Sequence, residues 1–195
     1  MGLVSIAEMR ETEIKLRAGN ADDARARLGR AGAVARTPRL FEDNRLYDDA
    51  AGTLRSRKQV LRLRSTNGTH KVTFKAPLAP GNDEGRYKVR IEHETAIGDA
   101  QVFDELLRGL GYRPAWRYQK YRQTYDLGGV EALLDETPIG VFIELEGQPE
   151  DIDRAAESLG FAPSDYVTKT YHQLQEEHTG LSEPGDLVFE PHHQP

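Results

Sequence analysis

The sequence predicts an α+β protein built on an antiparallel β-sheet with helices packed outside it. Three observations carry this expectation. About eight segments alternate apolar and polar residues with a period of two. Most follow one another in hairpin-like succession, without the strand–helix–strand rhythm of a parallel sheet. Three or four stretches with the helical period lie between or after them. Alternation alone leaves two versions open: a sheet with water on one side, or a sheet closed into a barrel.

The elements follow in order. A strand is expected over residues 8–18, around ETEIKLR. The next segment, NADDARARLGRAG, reads as a helix with Asn20 as N-cap, Asp22 and Asp23 in the first turn, and Gly29 or Gly32 as the stop. A long strand is expected over 34–49 and a helical turn within 50–58. QVLRLRS and HKVTFKA form a hairpin through the turn TNG. The loop PLAPGNDEG leads to the strand RYKVRIEHE. Residues 99–110 form an amphipathic helix with Val102, Leu106 and Leu110 at helical spacing and Gly111 as the stop. Strands WRYQKYRQTYDL, VEALLDE and VFIELEG follow, then helices over 150–159 and 166–177. Residues 1–178 form one domain, and 179–195, rich in Pro, Gly and His, a loose tail.

Composition narrows the function. A chain of 195 residues can bury a sizeable core. Its net charge of −6 and pI near 5.6 do not suit a nucleic-acid scaffold. With no cysteine there is no disulfide, thiolate metal site or cysteine nucleophile, which fits the cytoplasm. No run approaches ~18 apolar residues, so no membrane partner is expected. The first eleven residues fit neither a signal peptide nor a myristoylation pattern. No GxxxxGK[ST] or GxGxxG loop is present.

The polar faces of the strands are charged, and the signs are sorted. Glu11/Glu13 and Glu144/Glu146 are acidic pairs; Arg62/Arg64, Lys71/Lys75 and Lys120/Arg122 are basic pairs. Lys88, Arg90, Glu92 and Glu94 share a face opposite Val89 and Ile91. Residues two apart on a strand lie about 6.6–6.8 Å apart. A solvated face accounts for any one strand taken singly. If these faces converge in a barrel interior, the carboxylates can hold Mg²⁺ or Mn²⁺, which prefer oxygen ligands. The cations can hold a polyanion, arginine by its fork and lysine as a point charge. A metal with a cationic clamp suits phosphoryl chemistry.

The E-x-E-x-K pattern at 11–15 resembles the signature of the CYTH superfamily, the triphosphate tunnel metalloenzymes. LRLR at 61–64, TFKAP with Lys75, RIEHE at 90–94, KYR at 120–122, LLDE with Asp135 and ELE at 144–146 follow in the family's order. The resemblance spans about residues 8–175 and is greatest to the class IV adenylate cyclase branch. It implies an eight-stranded antiparallel β-barrel, a tunnel with a charged lumen and helices outside. Glu11, Glu13, Glu144 and Glu146 match its metal carboxylates, with Asp135 contributing. Lys15, Arg62, Arg64, Lys75, Lys120 and Arg122 match its triphosphate clamp, with Lys169 a further phosphate contact. Glu11, Glu13, Lys15 and Lys120 would carry the catalysis.

The substrate is then a small-molecule triphosphate. ATP would give cyclic AMP and pyrophosphate; inorganic or thiamine triphosphate would give orthophosphate. The clamp is common to both reactions, and no adenine pocket is apparent in the sequence. A non-catalytic polyphosphate or nucleotide sensor is the alternative from another class, and a homodimer is allowed. Trp116, Tyr118, Tyr121 and Tyr125 read as packing under a helix rather than as base-stacking groups, and His93 as a packed residue on the apolar face.

Overall fold

The structure, a computed structural model, describes residues 10–78 and 85–190. Its strands are β1 (Arg10–Ala18), β2 (Val34–Ala35), β3 (Leu40–Asp48), β4 (Val60–Thr66), β5 (Thr69–Pro77), β6 (Lys88–Ile97), β7 (Arg113–Leu127), β8 (Val130–Thr137) and β9 (Gly140–Glu146). The helices are α1 (Ala21–Arg30), α2 (Thr53–Ser56), α3 (Ala100–Gly109), α4 (Pro149–Ser158) and α5 (Tyr171–Thr179). The strands hydrogen-bond in the order β2-β7-β3-β4-β5-β6-β1-β9-β8, and β7 also pairs with β8. That last pairing closes the eight long strands into an antiparallel barrel with the helices outside. The closed alternative is therefore the one adopted.

Local chemistry sets the turns and caps. Asn67 and Gly68 both take positive φ, 46° and 77°, as a two-residue hairpin turn between right-twisted strands requires. The Asn20 side chain accepts a hydrogen bond from the Asp23 N–H and starts α1. Asp99 does the same for α3, accepting from the N–H groups of Gln101 and Val102.

The chain groups into two compact units. One holds β3 from Glu42, β4, β5, β6 from Val89, α3 and β7 up to Tyr118. Its apolar strand face, with Tyr47, Leu61, Leu63 and Val72, packs against Phe103 and Leu107 of α3. The other holds β1 from Thr12, α1, β2, β7 from Gln119, β8, β9, α4 and α5. Here Ile14, Leu16, Leu134, Ile143 and Leu145 pack against Ala24 and Leu28 of α1 and Ile152 and Ala156 of α4. In each unit the helices cover the apolar face, which leaves the charged face turned inward.

Several expectations change. The strand expected over 34–49 is broken into β2 and β3, because Pro38 offers no N–H and holds its predecessor out of regular pairing. On α3 the core side is Ala100, Phe103 and Leu107, while Val102, Leu106 and Leu110 are exposed. His93 is exposed rather than packed. The helix expected over 166–177 begins at Tyr171; before it the chain is extended, and Val167 exchanges two backbone hydrogen bonds of 2.9 Å with Lys15. Within the tail, Leu187 is buried and its carbonyl accepts from the Gln119 N–H at 2.8 Å. The first residues of the expected first strand and most of the 77–85 loop lie outside the described residues.

Candidate active site

β1 and β9 bring most of the predicted acids together. Their register sets Glu13 opposite Glu146 and Lys15 opposite Glu144, with all four side chains on the charged face. Glu11 lies two residues before Glu13 on the same face. One carboxylate oxygen from each of Glu11, Glu13 and Glu146 lies within 4.8 Å of the others. Three hard oxygen donors this close suit a divalent cation of the Mg²⁺ or Mn²⁺ kind.

The cations interlock with these acids. Lys15 Nζ lies 3.0 Å from Glu13 Oε1 and 3.3 Å from Glu144 Oε1, and all three side chains are buried. Burial works against the Lys15 charge, but Glu13 and Glu144 outweigh it and raise its pKa above the ordinary lysine value. Burial likewise disfavours ionised Glu144, yet Lys15, Arg122 and Lys120 hold its pKa well below the usual carboxylate range. Lys88 donates to Glu13 Oε1 at 2.6 Å. The sequence reading placed Lys88 on the charged face without singling it out, because nothing in β6 alone shows which acid it meets.

Asp135, fully buried on β8, collects donors on both oxygens. Lys120 Nζ donates to Oδ2 at 2.8 Å, and Arg122 reaches Oδ1 and Oδ2 at 2.6 and 2.5 Å. The Tyr171 hydroxyl adds a bond to Oδ2 at 2.7 Å. Arg122 also contacts Glu144. The Tyr171 ring lies 5.4 Å from Lys15 Nζ and 5.3 Å from Lys120 Nζ, and edge-on to Phe142. Burial, then the Asp135 charge, pushes the Tyr171 phenol well above its ordinary pKa, so it stays a neutral donor. Sequence reasoning missed Tyr171, which reaches this face only because the segment before α5 pairs with β1.

The other unit carries the remaining residues that match the family's clamp. Arg62 and Arg64 stand across from Leu46 and Asn44 of β3. Arg62 donates to the Tyr118 hydroxyl and to Thr73 Oγ1, both at 3.1 Å. Burial opposes its charge, and Tyr118 and Glu42 raise its pKa nonetheless. Arg64 Nη1 lies 3.4 Å from Glu42 Oε1. Lys75 donates to both oxygens of Glu11 at 2.6 Å and lies 2.9 Å from Glu92 Oε2. Lys71 is half exposed and bonds Glu94 at 2.7 Å. Trp116 and Tyr118 lie on the same side of β7 as Lys120 and Arg122, not under a helix as expected; Tyr121 and Tyr125 face the other way. Lys169 is half exposed and pairs with Glu177.

Comparison with known proteins gives relatives of the same extent. A Methanocaldococcus jannaschii protein named "putative adenylate cyclase" is 25% identical over 178 residues, covering 86% of this chain and 99% of that one. A Vibrio parahaemolyticus structure described in the same words superposes with a TM-score of 0.73 at 20% identity, covering 85% and 97% of the two chains. Hippeastrum HpAC1, described as a "putative adenylyl cyclase" with a dominant triphosphatase activity, gives a TM-score of 0.59 at 19% identity, covering 95% and 100%. The CYTH domain pattern matches residues 9–171, and on that match the chain belongs to the CYTH domain family.

Proposed function

We propose that this protein is a metal-dependent enzyme that holds a triphosphate on its inward charged face and cyclises ATP to cyclic AMP and pyrophosphate. One observation carries the reading: the trio Glu11, Glu13 and Glu146 stands beside buried cations already charged for an anion. The trio would hold Mg²⁺ or Mn²⁺, which supplies charge neutralisation at phosphate oxygens when bound.

The protein's own side chains do the rest. Arg62, Arg64 and Arg122 offer forked donors and Lys75 a point charge, which together orient the phosphate chain. Lys15 and Lys120 are charged and buried, so they stabilise developing negative charge where water screens it least. The ribose O3′ then bonds to the α-phosphorus, the bond to pyrophosphate breaks, and the O3′ proton passes to solvent water. No side-chain nucleophile takes part.

A second reading has its own support. The clamp engages phosphates alone, which inorganic and thiamine triphosphate share with ATP, and a triphosphatase activity is described for the Hippeastrum relative. Water would then attack the terminal phosphate and release orthophosphate. Phosphorus NMR with equal ATP and inorganic triphosphate, first in Mg²⁺ and then in Mn²⁺, separates the readings. Cyclic AMP growing with pyrophosphate supports the cyclase. Loss of inorganic triphosphate with ATP untouched supports the triphosphatase. Tight binding without turnover of either leaves a sensor.

A further inference from the structure

Asn44 on β3 is fully buried, and neither its Oδ1 nor its Nδ2 has a hydrogen-bond partner among the described residues. An amide in that state is costly, because it has given up water on both its donor and its acceptor side. It stands directly across from Arg64 and on the same inward face as Glu42. β3 and β7 are neighbours in the sheet. On their opposite face Arg117 grips Asp43 through two bonds of 2.9 and 2.7 Å. The residues flanking that pair, Asn44 and Glu42 on β3 and Trp116 and Tyr118 on β7, therefore line one inward patch. Trp116 and Tyr118 stack with ring centroids 4.9 Å apart and planes 23° apart, and Tyr118 accepts from Arg62.

We propose that this patch is a subsite for a flat aromatic ring carrying a hydrogen-bond donor beside an acceptor: the nucleobase or aminopyrimidine of an organic triphosphate. The inference rests on the triphosphate reading and names the substrate class within it. An asparagine amide presents one donor and one acceptor side by side, the complement of such a ring edge. Trp116 and Tyr118 supply the stacking wall, a contact that every aromatic base can make. Arg64, which stands across from Asn44, is a candidate clamp residue, so the amide lies beside the expected phosphate site. Inorganic triphosphate has neither a ring nor an edge for this patch. Adenine and the aminopyrimidine of thiamine share the donor–acceptor edge, so the test separates them by direct comparison.

Metal-free full-length protein is titrated calorimetrically with ATP, thiamine triphosphate and inorganic triphosphate, as wild type and as Asn44→Leu, which keeps the bulk and removes the polar atoms. The variant is expected to lose about tenfold or more in affinity for the organic triphosphate that uses the patch, while inorganic triphosphate binds unchanged. Unchanged organic affinities in the variant overturn the subsite. A measurement on the wild type covers the case of a variant that does not fold. Trp116 is the sole tryptophan, so its fluorescence should be quenched by the organic triphosphate and not by the inorganic one. Equal responses to both overturn the subsite. Failure of the wild type to bind inorganic triphosphate overturns the clamp itself, and the subsite falls with it.

Discussion

Asp135 shows how one side chain's role depends on its company. Its oxygens are occupied by Lys120, Arg122 and Tyr171, and it lies outside the close carboxylate trio. Asp135→Asn would leave Lys120 buried beside a neutral partner. We expect a loss of about 3–5 kcal/mol in denaturant unfolding, the usual cost of orphaning a buried charge. Glu13→Ala also removes a partner of Lys15 and Lys88, and it should act on turnover as well as on stability. It removes a trio member, so turnover should fall to near background while circular dichroism keeps the barrel signature. Wild-type rates at matched metal would remove Glu13 from the site. Arg64→Ala should raise the triphosphate dissociation constant at least about tenfold, the scale of one charged hydrogen-bonded contact. Equal affinity by calorimetry would exclude it from the clamp. The period of two made Glu11, Glu13 and Lys15 readable as one face. What the sequence could not show is which side chains meet across strands. The Glu144 contact to Lys15, the Lys88 contact to Glu13 and the Tyr171 contact to Asp135 all follow from register or from a bridge to β1.

Among the elements, caps and turns spoke most clearly in the sequence. Asn20 and the Asn67–Gly68 turn were readable because each satisfies local backbone groups with its own side chain or φ. The face of α3 was not. Val102, Leu106 and Leu110 keep helical spacing as well as Phe103 and Leu107 do, and only the sheet beneath decides which set is covered. Leu28, fully buried between α1 and the strands, tests that packing. Leu28→Ala should cost about 2–5 kcal/mol in chemical unfolding, through lost burial and the cavity left behind. Two tyrosines, Tyr47 of β3 and Tyr87 just before β6, tie the sheet to helices. Tyr47 donates to Asp104 of α3 and Tyr87 to Asp153 of α4. Burial, and then those carboxylates, push both phenols up to about 12. A raised phenol pKa favours the fold fully below the ordinary value near 10, and that contribution is lost as pH climbs toward 12. Thermal midpoints should therefore fall over that window. The double variant Tyr47→Phe, Tyr87→Phe should flatten this alkaline limb; an unchanged slope would assign it to other groups.

At the scale of the whole molecule, the charged interior interleaves acids with cations, and a divalent ion held by the trio would relieve the crowding of its carboxylates. Mn²⁺ or Mg²⁺ at one hundred times its dissociation constant should add about 2.7 kcal/mol to folding stability. Calorimetric melting with and without chelator reads this shift, and Glu13→Ala should abolish it. No helix among the described residues is long and apolar enough to cross a membrane.

The pairing of β1 with β9 and with Val167 has a consequence for how the chain comes off the ribosome. β1 is made before its β9 partner residues 141–146, which emerge more than a hundred residues later. Until then its Glu13 and Lys15 lie on a strand with an open edge, and closure must pay the entropy of a very long loop. Assembly of the carboxylate trio thus waits until β9 has emerged. A nascent chain halted before Gly140 holds Glu11 and Glu13 of the trio and lacks Glu146.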